Sequence, residues 1–329
     1  MRVLVVGGAG YIGSTVVGKL VTAGHSVIVF DNLRHGHRQA IPAGVPLVEG
    51  ELGDEEALDR LFISHPVDVV MHFAALIEAG ESMLSPELFF RNNTAYSLTL
   101  FEAMLRHGVK RLVFSSTAAL FGNPDSVPIT EEAPLHPTNA YGESKLLVER
   151  MLDWLNRIHG MRFACLRYFN IAGAADPDHG ESHHPETHLI PLILQVALGQ
   201  RERISLFGTD YPTPDGTCVR DYIHVQDIAA AHLLALDALS DRDRLYFNLG
   251  NGEGFSVRQV IEVARKVTGH PIPCVEGARR PGDPAILIAS SRKILDELGW
   301  RPRYTNLEDI IRSAWEWHRR HPNGYESEK

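Results

Sequence analysis

Val3-Leu4-Val5-Val6-Gly7-Gly8-Ala9-Gly10-Tyr11-Ile12-Gly13, followed by Val27-Ile28-Val29-Phe30-Asp31, reads as a strand, a glycine turn, a helix and a second strand ending in an acid. This is the βαβ pattern of a dinucleotide site. Gly7, Gly10 and Gly13 can supply its sharp turn, its backbone approach to a pyrophosphate and its close helix–sheet packing. The helix, predicted over Tyr11–Ala23 and stopped by Gly24, offers free amides and the positive end of its dipole to the phosphates. Asp31 can accept hydrogen bonds from the adenosine ribose and repel a 2′-phosphate, which favours NAD over NADP. Asn32 adds a polar contact, while Arg34 and Arg38 are the basic residues that could take a 2′-phosphate instead.

Tyr141 and Lys145 stand four apart in a segment that reads as helix, so their side chains share one face. A phenol titrates near ~10, and a neighbouring ammonium with a positive nicotinamide ring favours its phenolate. On spacing alone a surface pair is the commoner case. Ser115-Ser116-Thr117 changes the weighing, because it follows the apolar Leu112-Val113-Phe114 at the sheet edge where open α/β folds place ligands. Thr117, Tyr141 and Lys145 are therefore read as hydroxyl donor, base and electrostatic partner.

A chain of 329 residues exceeds one small core and suits two packed lobes. Its 44% hydrophobic and 22% charged residues are those of an ordinary soluble protein. The net charge of −9, with no basic block, argues against a nucleic-acid partner. A first strand beginning at residue 2 and strand-sized apolar runs predict a cytoplasmic protein with no membrane partner. Cys165, Cys218 and Cys274 are read as reduced and structural. His179, His183, His184 and His188 crowd one stretch, but their spacing fits no standard zinc pattern and no Cys stands nearby. No metal is expected there, and a solvated or substrate-facing loop is.

Short Val/Ile/Leu/Phe-rich segments alternating with amphipathic helices predict an α/β fold: a doubly wound, Rossmann-type parallel sheet. Strands are expected near Val3–Val6, Val27–Phe30, Leu47–Glu49, Val69–His72, Leu112–Ser115 and Phe163–Arg167. The dinucleotide domain takes residues 1–172 with a return near 221–250, and residues 173–329 form mainly a smaller mixed α/β substrate lobe, with a discontinuous boundary. After Pro86, Leu88, Ala95, Leu98, Phe101 and Leu105 form an apolar stripe on a helix ended by Gly108. With the Tyr141 helix it can pair with the same helices of a second subunit, so a homodimer is expected. The tail after Pro322 is expected to fray.

Together with Phe73-Ala74-Ala75, Arg167-Tyr168-Phe169-Asn170 and Val219-Arg220-Asp221-Tyr222-Ile223-His224-Val225, these motifs resemble the extended short-chain dehydrogenase/reductase family. Within it the chain is similar, from Met1 to about Tyr325, to the branch that epimerises UDP-hexoses at C4. The resemblance implies that Thr117, Tyr141 and Lys145 are catalytic. It implies that NAD is held by Gly7, Gly10, Tyr11, Ile12, Gly13, Asp31 and Asn32, by Glu51, Leu52, Phe73, Ala74, Ala75 and Asn92, and by Ser115, Tyr141, Lys145 and Tyr168. A UDP-sugar is implied at Thr117, Asn170, His188, Leu189, Phe207, Arg220, Tyr222, Arg280, Asp283 and Leu287. Forked arginine bonds to a diphosphate and flat aromatic surface for a uracil agree with those roles.

Four positions depart from the family pattern. Glu51 replaces a common Asp, His35 a polar Asn, His188 an Asn, and Ile77 a basic residue, which implies looser cofactor retention. A nucleotide-sugar dehydratase is the nearest rival, but it uses an acid and a base after the threonine, where this chain has Ala118-Ala119. A non-catalytic NAD-sensing module is the rival from another class, and it has no need of the triad. Leu287 stands where a bulky Tyr closes the space around the sugar C2 substituent, so N-acetylated UDP-hexosamines are expected to fit.

Overall fold

The apolar run after Met1 becomes β1 (Arg2–Val6), whose Val3, Leu4, Val5 and Val6 are fully buried. A strand buried on both faces needs helices on both faces, and the parallel arrangement supplies them. With β2 (Ser26–Asp31), β3 (Leu47–Glu49), β4 (Val69–His72), β5 (Arg111–Thr117) and β6 (Arg162–Tyr168), it builds a seven-stranded sheet completed by Arg244–Leu249. The order is Arg244–Leu249, β6, β5, β4, β1, β2, β3, and every pair is parallel. Strand order reverses between β1 and β4, and there the carboxyl ends of the strands open a crevice.

This computed structural model describes residues 1–280 and 283–325. Pro281-Gly282, read as turn punctuation, and residues 326–329 of the tail lie outside the described residues.

Alternation along β1 sends Val3 and Val5 to one core with Leu20, Ile228 and Phe247, and Leu4 and Val6 to another with Phe30, Phe101 and Phe163. The first core includes α1 (Tyr11–Thr22) and the helix Val225–Ala238, so residues well beyond 172 cover the sheet. A third core, around Ile193, Leu194, Val260, Ile310 and Ile311, holds the helices Leu189–Ala197, Val257–Thr268 and Leu307–Arg320. Small sheets border it: Asn170–Ala172 beside Tyr222–His224, and Phe255–Ser256, Val219–Arg220 and Ile286–Leu287 together. No helix among the described residues is long and apolar enough to cross a membrane. Cys165, Cys218 and Cys274 are all free, and Cys274 is exposed.

The helix after Pro86 corrects the expected stripe. It runs Pro86–Phe89, then as a π-helical segment Phe90–Ala95, then Tyr96–Arg106. The wider π turn breaks the 3.6-residue register. Phe101 is buried, whereas Leu88 and Leu98 remain 45% and 38% exposed.

Gly7 adopts φ +78°, and a Cβ there would meet the Ala74 amide nitrogen at 2.5 Å; a Cβ on Gly13 would overlap the Gly7 carbonyl oxygen. Gly13→Ala is therefore expected to lose about 1–3 kcal/mol of stability. A urea titration checks this, and an unchanged midpoint would contradict the tight turn.

Candidate active site

Asn139 caps the helix Ala140–His159 by accepting a hydrogen bond from the Gly142 amide at 2.8 Å. That helix starts hard against the end of β5, since a Cβ on Gly142 would stand 2.6 Å from the Ala119 carbonyl oxygen. The close approach sets Tyr141 beside Thr117. One turn on, the Lys145 Nζ donates to the Ser115 carbonyl at 2.9 Å and lies 4.7 Å from the centre of the Phe114 ring. Burial pushes the Lys145 ammonium down to about 7. Burial also raises the Tyr141 phenol, while its hydrogen bond with Thr117 pulls it back. Neither charge is favoured there alone, and each is the natural partner of the other.

These groups form one end of a cavity of about 400 Å³. Its wall contains every residue expected to hold the dinucleotide, from Gly7 and Asp31 through Glu51, Ala75 and Asn92 to Ser115 and Tyr168. The fit to NAD is good on three grounds. The helix α1 begins at Gly10 with no side-chain cap and no acid in its first turn, leaving its amides for an anion. Asp31 is buried and already oriented, accepting from the amides of Ala9 and Leu33 at 2.9 Å each. Burial still holds its carboxyl above the usual range. The cavity also has a polar second wall, where Asn32 Nδ2 donates to the Glu51 carboxylate at 3.1 Å.

Tyr168 is held from behind. His232 Nδ1 lies 2.9 Å from the Ile228 carbonyl, which makes Nδ1 the donor and leaves Nε2 to accept from the Tyr168 hydroxyl at 2.5 Å.

Asn170, His188, Leu189 and Tyr222 share this cavity with Thr117. The other residues expected around the sugar nucleotide gather just outside it. Arg280 Nε donates to Asp283 at 3.1 Å and its guanidinium sits 4.9 Å from the Phe207 ring, while Arg220 approaches Asp283 at 4.0 Å. Both arginines act on the buried Tyr222, opposing the burial that pushes its phenol up to about 12. Two guanidiniums sharing one carboxylate keep a net positive charge and free N–H groups for an anion. Leu287 packs on the cluster of Ala118, Phe121 and Ile129, next in chain to Thr117 but not on the cavity wall.

The histidine-rich stretch faces the cavity through His183 and His188. His179 pairs with Asp176. His183 and His188 instead converge with Glu181 and Glu186, two acids that a search for cysteine and histidine spacing passes over. Also missed is Asn93, buried in the π segment. It accepts from the Leu76 amide at 2.8 Å and donates to the Leu76 carbonyl at 2.9 Å and to Ser144 Oγ at 3.1 Å. The π turn thus ties a wall of the cavity to the helix of Tyr141.

Residues 3–250 match the family described as NAD dependent epimerase/dehydratase. The chain is 53% identical to the UDP-glucose 4-epimerase of Halalkalibacterium halodurans, over 100% of this chain and 98% of the relative. A solved UDP-glucose 4-epimerase superposes with a TM-score of 0.97 at 51% identity, covering 99% of this chain and 100% of that one. The enzyme from Bifidobacterium longum, in complex with NAD+ and UDP, superposes at 0.95 with 38% identity and the same coverage.

Asn93→Ala would strand the Leu76 amide and carbonyl. A loss of about 1–3 kcal/mol is expected, together with weaker dinucleotide retention, measured by thermal unfolding and by nucleotide released on denaturation. Unchanged values for both would remove Asn93 from this role.

Proposed function

The chain belongs to the NAD-dependent epimerase/dehydratase family, and on that premise we propose that it interconverts UDP-glucose and UDP-galactose by inverting C4 of the hexose. The observation that carries the proposal is a single cavity with the Gly7–Gly13 turn and Asp31 at one end and Thr117, Tyr141 and Lys145 at the other. When bound, NAD supplies reversible hydride acceptance, so that the sugar passes through a 4-keto form with no net redox change.

The protein's own part is proton handling and grip. Tyr141 Oη takes the proton of the sugar 4-hydroxyl and later returns it, while the Thr117 hydroxyl orients the same oxygen. Lys145, fixed to Ser115 by one N–H, keeps two further donors and its charge close to the phenolate. Asp31 and the amides of α1 hold the dinucleotide, and Ile77 adds no charge to that wall, which supports a looser hold on it. Arg220, Arg280, Phe207 and Tyr222 anchor the nucleotide diphosphate. A grip that is firm on UDP and loose on the hexose would let the keto sugar turn over and present its other face. Ala118 and Ala119 follow Thr117, so the acid–base pair that water elimination demands has no place there.

Apolar side chains left open on the two helices beside the site, Leu88, Leu98, Trp154 and Ile158, support a homodimer in which these helices meet their counterparts.

Incubated with UDP-galactose and no redox partner, the protein is expected to yield UDP-glucose. Tyr141→Phe keeps the ring but removes the proton acceptor, so turnover should fall about 10²–10⁴-fold with nucleotide content intact. Near-parental turnover in a fully loaded variant would refute the assignment of the base.

Leu287 is smaller than a tyrosine and packs behind the cavity wall on the cluster that holds Ala118, next to Thr117, which supports space for an acetamido group at the sugar end. UDP-N-acetylglucosamine and UDP-N-acetylgalactosamine are expected as substrates, and Leu287→Tyr should remove them selectively while sparing UDP-glucose. Comparative rates on both sugar pairs decide the point, and absence of N-acetyl turnover in the parent protein would end it.

A further inference from the structure

The stretch Glu181–His188 brings two carboxylates and two imidazoles to one point, although nothing in the proposed reaction uses them as a group. One donor atom from each of Glu181, His183, Glu186 and His188 lies within 4.8 Å of all the others. We propose that these four residues bind one divalent transition-metal ion of the zinc type, which staples this loop beside the cofactor cavity.

The distances from His183 to the two acids suit such an ion. Bonds of about 2.0–2.2 Å in a tetrahedron place neighbouring donor atoms about 3.3–3.6 Å apart. His183 Nδ1 is 3.3 Å from Glu181 Oε1 and 3.8 Å from Glu186 Oε2, close to that spacing, whereas His188 Nδ1 hydrogen-bonds the same Glu181 oxygen and must swing away from it to admit an ion. Both carboxylate side chains are only 4% exposed, and buried carboxylates demand a cation. His183 Nδ1 is itself buried and makes no hydrogen bond despite its acidic neighbours. At 3.3 Å from the nearest carboxylate oxygen, this nitrogen is within ion-pair reach of both acids and is available as a ligand atom.

Chemistry selects the class of ion. Mixed imidazole and carboxylate donors favour zinc and its neighbours over magnesium or calcium, which prefer oxygen alone. Four protein donors close the coordination sphere, which marks a structural ion rather than one that activates water. The His188 side chain is 43% exposed, leaving a route of access. The loop backbone is already clamped to other parts of the chain: Trp317 Nε1 donates to the Glu181 carbonyl at 3.0 Å, and His37 Nε2 lies 3.1 Å from the Ser182 carbonyl. Because Glu181, His183 and His188 also form part of the cavity wall, the ion would fix the loop that leads into the helix Leu189–Ala197.

The test is elemental analysis of the full-length protein, loaded with Zn²⁺ and desalted, alongside the His183→Gln and Glu186→Gln variants. One zinc per chain is expected in the parent. A Co²⁺-loaded sample should show the visible bands of tetrahedral coordination, and a chelator should lower the melting temperature by mass action. Loss of a ligand should weaken retention by more than the ~10-fold that outer-sphere changes already cause. Protein that retains no zinc after loading, or variants that retain as much as the parent, would overturn the proposal. In those cases protonated histidines alone hold the two carboxylates. If one variant fails to fold, the other variant and the chelator experiment on the parent still decide the matter. None of these measurements depends on epimerase activity, so failure here leaves the functional reading untouched.

Discussion

A buried ion pair holds the catalytic end of this molecule together. Arg167 on β6 meets Glu149 on the Tyr141 helix through two hydrogen bonds, of 3.1 and 2.7 Å, and Ser116 on β5 donates to the same carboxylate at 2.6 Å. Both charged side chains are at most 4% exposed. Removing one partner of such a pair leaves a bare buried charge, at a cost of about 3–5 kcal/mol. Glu149 is also one turn from Lys145 and helps hold the ammonium charged against its burial. One carboxylate therefore fixes two strands and a helix, and it supports the charge on which the tyrosine depends. The close contact at Gly142 works only because this helix cannot drift.

The division of labour between the lobes follows from what each is made of. The sheet core is apolar and closely packed, and the polar groups it gives to the cavity stand at the carboxyl ends of its strands, as Asp31, Ser115, Thr117 and Tyr168 do. Beyond it, short strands and turns carry arginines and aromatics that face one another across loops. A rigid floor suits a cofactor that must stay in register, whereas a ligand that must turn over is better held at one end by a separate set of side chains.

Much of this was legible in the residues, and the reason is local. The glycine turn, Asp31 and the Tyr141–Lys145 spacing each obey rules that act within a few residues, and the strands they imply appear within a residue or two of their predicted ends. Legibility fails where distant segments decide. The π turn at Phe90–Ala95 holds Asn93 against Leu76 and Ser144, contacts with distant segments that are invisible in the helix itself, so the break it makes in the single apolar stripe cannot be read from spacing. Val219–Arg220 pairs with Phe255–Ser256 and with Ile286–Leu287, contacts too short and too far apart in sequence to read from periodicity. Glu181 and Glu186 look like ordinary loop acids until folding sets them against His183 and His188.

The last strand of the main sheet has a consequence for synthesis on the ribosome. Arg244–Leu249 covers β6 from Phe163 to Tyr168, so β6 is the bare edge of the sheet until that later segment emerges. About 75 residues separate them, which at about 5–20 residues per second leaves an unpaired row of amides and carbonyls for roughly 4–15 s. A nascent chain in that interval has most of its cofactor turn built and one adhesive edge open. Its vulnerability to misassociation is thus set by chain order, independently of how stable the finished protein becomes.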